Sequence, residues 1–101
     1  MNTVVKDWQI VSVFDAEELV GQVLYATVVD DSTCRFAVDD YVTTSKIEKI
    51  NTFTNLVTTH SGSVYQLLGT GKTSRVEIAH FELLRLGHSP QEIKALTKMS
   101  H

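Results

Sequence analysis

The sequence predicts an α+β fold: a small antiparallel β-meander, barrel-like and of about five or six strands, with a short N-terminal helix and two C-terminal helices. Three observations predict it. Short runs rich in β-branched and aromatic residues, separated by polar turns, continue as far as Leu68. The hydrophobic period changes after Gly69-Thr70-Gly71. Two Ser-x-x-Glu capping boxes, Ser74 to Glu77 and Ser89 to Glu92, then mark helix starts.

Each element follows from its residues. Trp8 to Phe14 alternates with apolar groups on both faces, which makes it a central strand. Asp15-Ala16-Glu17-Glu18 reads as a cap and the acidic first turn of a short helix, interrupted by Gly21. Val23 to Val29 is the strongest strand signal. Asp30-Asp31-Ser32-Thr33 and Asp39-Asp40 are acidic turns on either side of Arg35-Phe36. Tyr41 to Ser45 and Lys46 to Ile50 are strands, and Asn51 to Asn55 is a turn. Leu56 to His60 and Val64 to Leu68 form a hairpin about Ser61-Gly62-Ser63. The first C-terminal helix runs from the Ser74 cap to about Leu86, with Gly87 in the left-handed position that ends it. Pro90 opens the second, and Ile93, Leu96 and Met99 follow at helical spacing.

The 101 residues support one domain over 1–101, mainly strands over 1–71 and a helical hairpin over 74–101. An apolar fraction of 43% matches an ordinary globular chain. Net charge is −3, so general attraction to nucleic acid or an anionic membrane does not follow. The charge is uneven: nine acids against four bases in 1–71, and five bases against three acids in 72–101. Such a dipole orients a partner or a second copy. Cys34 is the single cysteine, which excludes an intramolecular disulfide and fits a cytoplasmic setting. The N-terminus lacks the pattern of a signal peptide, and no apolar run reaches the length of a membrane span.

Several motifs bear on function. Val76, Ala79, Leu83 and Leu86 form one stripe of the first C-terminal helix, while Ile78 and Phe81 lie off it. Ile78, Phe81 and Arg85 are therefore the candidate interaction surface, packing either on the second helix or across a homodimer. Gly69-Thr70-Gly71-Lys72-Thr73 is half of a phosphate-binding loop, but Gln66 stands where its first glycine is needed. Gly69, Gly71, Lys72 and Ser74 remain a candidate anion or ligand loop, using the first N–H groups of the following helix. Leu83 to Ile93 matches the first half of a helix-turn-helix. The helix after it offers only Gln91, Lys94, Lys98 and His101 to a groove. Glu77 and His80 have the i, i+3 spacing of carboxylate-bridged metal bundles, which require more than one such set. Cys34 and His60 are the one thiol–imidazole couple, and nothing in their spacing brings them together. No catalytic, cofactor or metal set is assigned.

Two stretches resemble a family of small uncharacterised bacterial and prophage proteins. The first is Tyr25-Ala26 with Asp31-Ser32-Thr33-Cys34-Arg35-Phe36-Ala37-Val38-Asp39-Asp40-Tyr41-Val42-Thr43-Thr44-Ser45. The second runs from Thr58 through Val64-Tyr65-Gln66-Leu67-Leu68-Gly69-Thr70-Gly71. The family pattern is D-S-x-G-R-F-x-x-G-D-[WY]-V-x-[ST]-S, then V-Y-x-L-x-G-x-G. Cys34 and Asp39 stand where it has glycine. The resemblance implies a β-rich fold and a mobile-genetic-element setting, a prophage or gene cassette, and no activity. Arg35 and Asp40 are expected to pair across the loop between them.

Three readings follow. The first is a non-enzymatic protein-interaction or self-associating accessory factor of a mobile element, without cofactor. The second is a small-ligand or anion-binding barrel using the Gly69–Ser74 loop. The third and weakest is nucleic-acid binding through the C-terminal helices.

Overall fold

A computed structural model describes residues 2–31 and 40–98. Two long strands, β1 (Asn2–Asp15) and β2 (Glu18–Asp31), form an antiparallel hairpin. The expected N-terminal helix is absent: Asp15 pairs with Glu18, and Ala16 turns the chain with a φ of 55°. Strand-forming residues continue the ladder on both sides of this turn. One isolated helical turn would not repay its nucleation cost.

The hairpin is followed by β3 (Tyr41–Thr43), β4 (Ile47–Asn51), β5 (Leu56–Thr59), β6 (Val64–Leu67) and β7 (Lys72–Glu77). The sheet order is β3-β2-β1-β6-β5-β4, with β7 also on β1. This corrects the expected antiparallel meander of five or six strands: the sheet is mixed and has seven. Strands β6 and β7 both run parallel to β1, β6 along Asn2–Val5 and β7 along Gln9–Phe14. They are one interrupted strand, and the interruption at residues 68–71 faces an irregularity in β1 between Lys6 and Gln9. Consecutive strands β3 and β4 lie at the two ends of the sheet path, so residues 44–46 form a corner between them.

The β1 irregularity decides the packing. Asp7 adopts a φ of 49°, and the alternation of faces shifts by one. Odd-numbered Val5 and even-numbered Ile10 therefore share one cluster with Leu24, Val28, Val57 and Tyr65. Val11 and Val13 face the other way, into a second cluster with Val23, Tyr25, Val76, Leu84 and Ile93. The sheet thus buries both faces along β1 and β2.

The helical hairpin expected over 74–101 is shorter. Residues 72–77 are strand, Ile78–His80 is a single 3-10 turn, α1 is only Phe81–Arg85, and α2 is Pro90–Lys98. Ser74 does not cap a helix. Its hydroxyl donates to Gln9 Oε1, and Gln91 exchanges two 3.0 Å amide hydrogen bonds with the same glutamine. Pairing with β1 outcompetes the local capping pattern, because six residues gain a ladder there.

The second capping box forms as its spacing predicts. The Ser89 N–H donates to Glu92 Oε1 at 3.0 Å, and the Glu92 N–H donates to Ser89 Oγ at 3.1 Å. Gly87 has a φ of 106°, with the Gly87 and His88 N–H groups donating to the Leu84 and Leu83 carbonyls. The Ser89 N–H, the Ser89 hydroxyl and His88 hold the Glu92 carboxyl below the usual range. A depressed folded pKa means this contribution is present above the ordinary carboxylate range and fades as pH falls through the lowered value. Ser89→Ala is expected to cost about 1 kcal/mol in urea unfolding, and to reduce but not remove the acid sensitivity of α2 followed by amide chemical shifts, because the backbone N–H at position 89 remains.

Candidate functional site

The site grows from where β3 stops. Strand β2 continues to Glu18, but β3 pairs only with Tyr25–Thr27. Thr44 then pins the corner. Its N–H donates to the Leu24 carbonyl at 3.0 Å, and its hydroxyl accepts the Leu24 N–H at 3.0 Å. The chain turns away into β4, leaving the edge of β2 before Leu24 without a hydrogen-bonded strand among the described residues.

Helix α1 is clamped beside this edge. The Thr43 hydroxyl donates to the Leu84 carbonyl at 3.1 Å, and the Tyr25 hydroxyl donates to the Gly87 carbonyl at 2.8 Å. Leu84 is fully buried against the sheet. Burial pushes the Tyr25 hydroxyl up to about 12, with smaller contributions from Tyr41, stacked on it at 5.6 Å, and from Glu92. An unfolded tyrosine ionises near pH ~10. The neutral form's advantage is therefore complete below that pH and is lost as pH rises toward 12. Absorbance titration should show a tyrosine ionising near pH 12. Tyr25→Phe should remove that step and cost about 1 kcal/mol.

Between α1 and the β2 edge lies a groove of about 450 Å³. Its walls include Val13, Val20, Val23, Ile78 and Phe81, with Lys46 and Arg85 contributing the cations. The structure therefore brings Ile78, Phe81 and Arg85 together on one groove, although they belong to a 3-10 turn and a five-residue helix. Arg85 bonds Glu82 at 3.1 Å on the surface. The stem of Lys46 crosses Gly21, where an added Cβ would meet it at 3.2 Å. Val20, Gly21 and Lys46 carried no signal of a site in the sequence, since their role in the groove depends on where β3 ends.

The candidate anion loop has a different local structure. No helix begins after it: Lys72 and Ser74 lie in β7, and Ser74 is bonded to Gln9. Gly69, with a φ of 69°, turns its carbonyl to the Trp8 indole N–H at 3.4 Å. Gly71 lies under the Trp8 ring. The glycines thus serve a tryptophan contact. A second groove, of about 530 Å³, lies between β7 and α2 and is lined partly by Arg75, His80 and Lys94.

The remaining motifs are dispersed. Glu77 ends β7 and bonds Arg75 at 3.4 Å, so Glu77 and His80 do not share a helix face. His60 Nδ1 meets Glu48 Oε1 at 2.8 Å on the surface. The hydroxyls of Ser45, Thr59, Ser61 and Ser63 bond one another instead of the imidazole. Among the described residues no group of three or more His, Cys, Asp or Glu is arranged to hold a metal. No described helix is long and apolar enough to cross a membrane. Cys34, Arg35, Asp39, Met99 and His101 lie outside the described residues, and with them the Arg35–Asp40 pair and the Cys34–His60 couple.

Comparison with curated proteins and with solved structures found no match. A family model does match, over residues 1–82, which takes in the whole sheet, the 3-10 turn and the start of α1. The chain belongs to the family described as a domain of unknown function, DUF6957.

Proposed function

We propose that the chain is a non-enzymatic interaction protein whose working surface is the groove between α1 and the β2 edge. One observation carries this reading: Ile78, Phe81 and Arg85 line an apolar groove beside a stretch of β2 that has no hydrogen-bonded strand among the described residues. An extended segment of another chain laid there gains backbone hydrogen bonds from the edge and apolar contact from Ile78, Phe81 and Val20. The resemblance of residues 25–45 and 58–71 to prophage proteins supports a role as an accessory factor of a mobile genetic element, acting in the cytoplasm.

A photo-cross-linking amino acid at position 78 tests the reading in cells. The expected result is a discrete covalent adduct with protein from position 78, and none from position 53, where Phe53 is 98% exposed outside the groove. No adduct, or identical adducts from both positions, would overturn it.

A further inference from the structure

The open edge of β2 has a pattern of hydrogen-bonding groups and charge that fits a second copy of this chain. Along a strand, successive residues turn their backbone groups to opposite sides. Leu24 turns its N–H and carbonyl away from β1, to Thr44. Gln22 is two residues earlier in an unbroken part of the β1–β2 register, so it also turns both groups away from β1. Among the described residues nothing bonds them. The segment Glu18–Val23 lacks the lysines and prolines that protect edge strands. Gly21 within it makes room for the stem of Lys46, which brings that cation beside the open edge. The register shift near Val20 bends the end of the strand, so strand pairing is confined to Gly21–Val23 and the hairpin tip forms a separate contact.

That tip is acidic and apolar. Asp15, Glu17 and Glu18 are exposed, and Leu19 and Val20 beside them are 52% and 46% exposed. The groove offers the complement: an apolar floor, with Arg85 and with Lys46, which has no ion-pair partner among the described residues. Two copies set antiparallel about Gln22 send each tip toward the other's corner at residues 44–46. We infer that the groove is filled by a second copy in this way, with Glu17 and Glu18 of each chain on Lys46 and Arg85 of the other. This rests on the reading of the groove as an interaction site and names its occupant. The arrangement is two-fold and uses the open stretch of β2 in each chain, so this contact closes at a dimer. Its small contact area implies a weak dimer that exchanges with monomer.

Sedimentation equilibrium of the full chain over a concentration series at low salt is the test. The expected result is a monomer–dimer equilibrium that Glu18→Lys and Lys46→Glu each weaken by about tenfold or more. Combining the two reversals should return Kd to within about threefold of the original. Gln22→Pro should abolish the dimer with the far-ultraviolet circular dichroism unchanged, because the lost N–H points away from β1. A dimer indifferent to both charge reversals would overturn the inference. A strict monomer that still gives an adduct from position 78 with a different protein also sinks the dimer, and leaves the interaction reading standing. A strict monomer with no adduct sinks both.

Discussion

Leu84→Ala should lower the unfolding free energy by about 2–5 kcal/mol. Leu84 is 0% exposed and is the one buried residue of α1. It packs with Val11, Val13, Val23, Tyr25, Val76 and Ile93 on the helix side of the sheet. With five residues and no side-chain cap, α1 is too short to persist on local hydrogen bonds. Burial of Leu84 is therefore what holds it, with the Thr43 and Tyr25 hydroxyls fixing its direction. A domain of this size has only about 5–15 kcal/mol of net stability, so the loss is a large share. Urea unfolding measures it. The groove should suffer as well, since Phe81 and Arg85 ride on the same turn and a half of helix. A loss below about 0.5 kcal/mol, typical of an exposed site, would mean that α1 is not docked as described.

What the sequence disclosed, and what it hid, follows the distance over which each element is decided. The box Ser89–Glu92 and the terminating Gly87 were legible because their hydrogen bonds close within a few residues. The Val23–Val29 part of strand β2 and the β5–β6 hairpin were legible from composition and a local turn, whereas the start of β2 at Glu18 was read as helix. The same capping pattern failed at Ser74–Glu77, because its fate is settled by Gln9, sixty-five residues earlier. The turn at Ala16–Glu17 was illegible for another reason. It has neither the glycine nor the asparagine that usually marks a two-residue hairpin, and Ala16 accepts a left-handed conformation instead. The parallel placement of β6 and β7 left no local trace at all. It arises because β1 offers its second edge to chain that returns much later.

The candidate site divides in the same way. Ile78, Phe81 and Arg85 stood out because apolar residues lay off the stripe expected for a helix buried on one face. Their excess has a different origin from the one that spacing suggested. Ile78 belongs to a 3-10 turn, and only Phe81 and Arg85 are helical. The other wall of the groove required knowing that β3 ends at Thr43 and that Lys46 turns back over Gly21. Edges of sheets are set by tertiary pairing, so a surface built on one is only half visible in sequence.

Gly71→Ala should destabilise the fold by about 1–3 kcal/mol, despite the stiffer unfolded chain that alanine brings. The backbone at Gly71 is not in the left-handed region, so only space is at issue. A Cβ there would fall 2.2 Å from Trp8 Cδ2, well inside contact distance. The indole must move, giving up its hydrogen bond to the Gly69 carbonyl and its packing against the cluster of Val5, Ile10 and Leu67. Trp8 is the single tryptophan, so the emission spectrum reports that movement directly. Gly69 provides the contrast: its position is open, and its φ of 69° makes any cost there one of backbone strain. The decisive comparison is with Trp8→Ala. If the clash is the cause, Gly71→Ala in that background costs little or stabilises slightly, and the two substitutions couple strongly. Equal costs in both backgrounds would show that Gly71 serves the loop's own geometry instead. The step between β6 and β7 would then be held by backbone alone, and not by the ring that bridges it to β1.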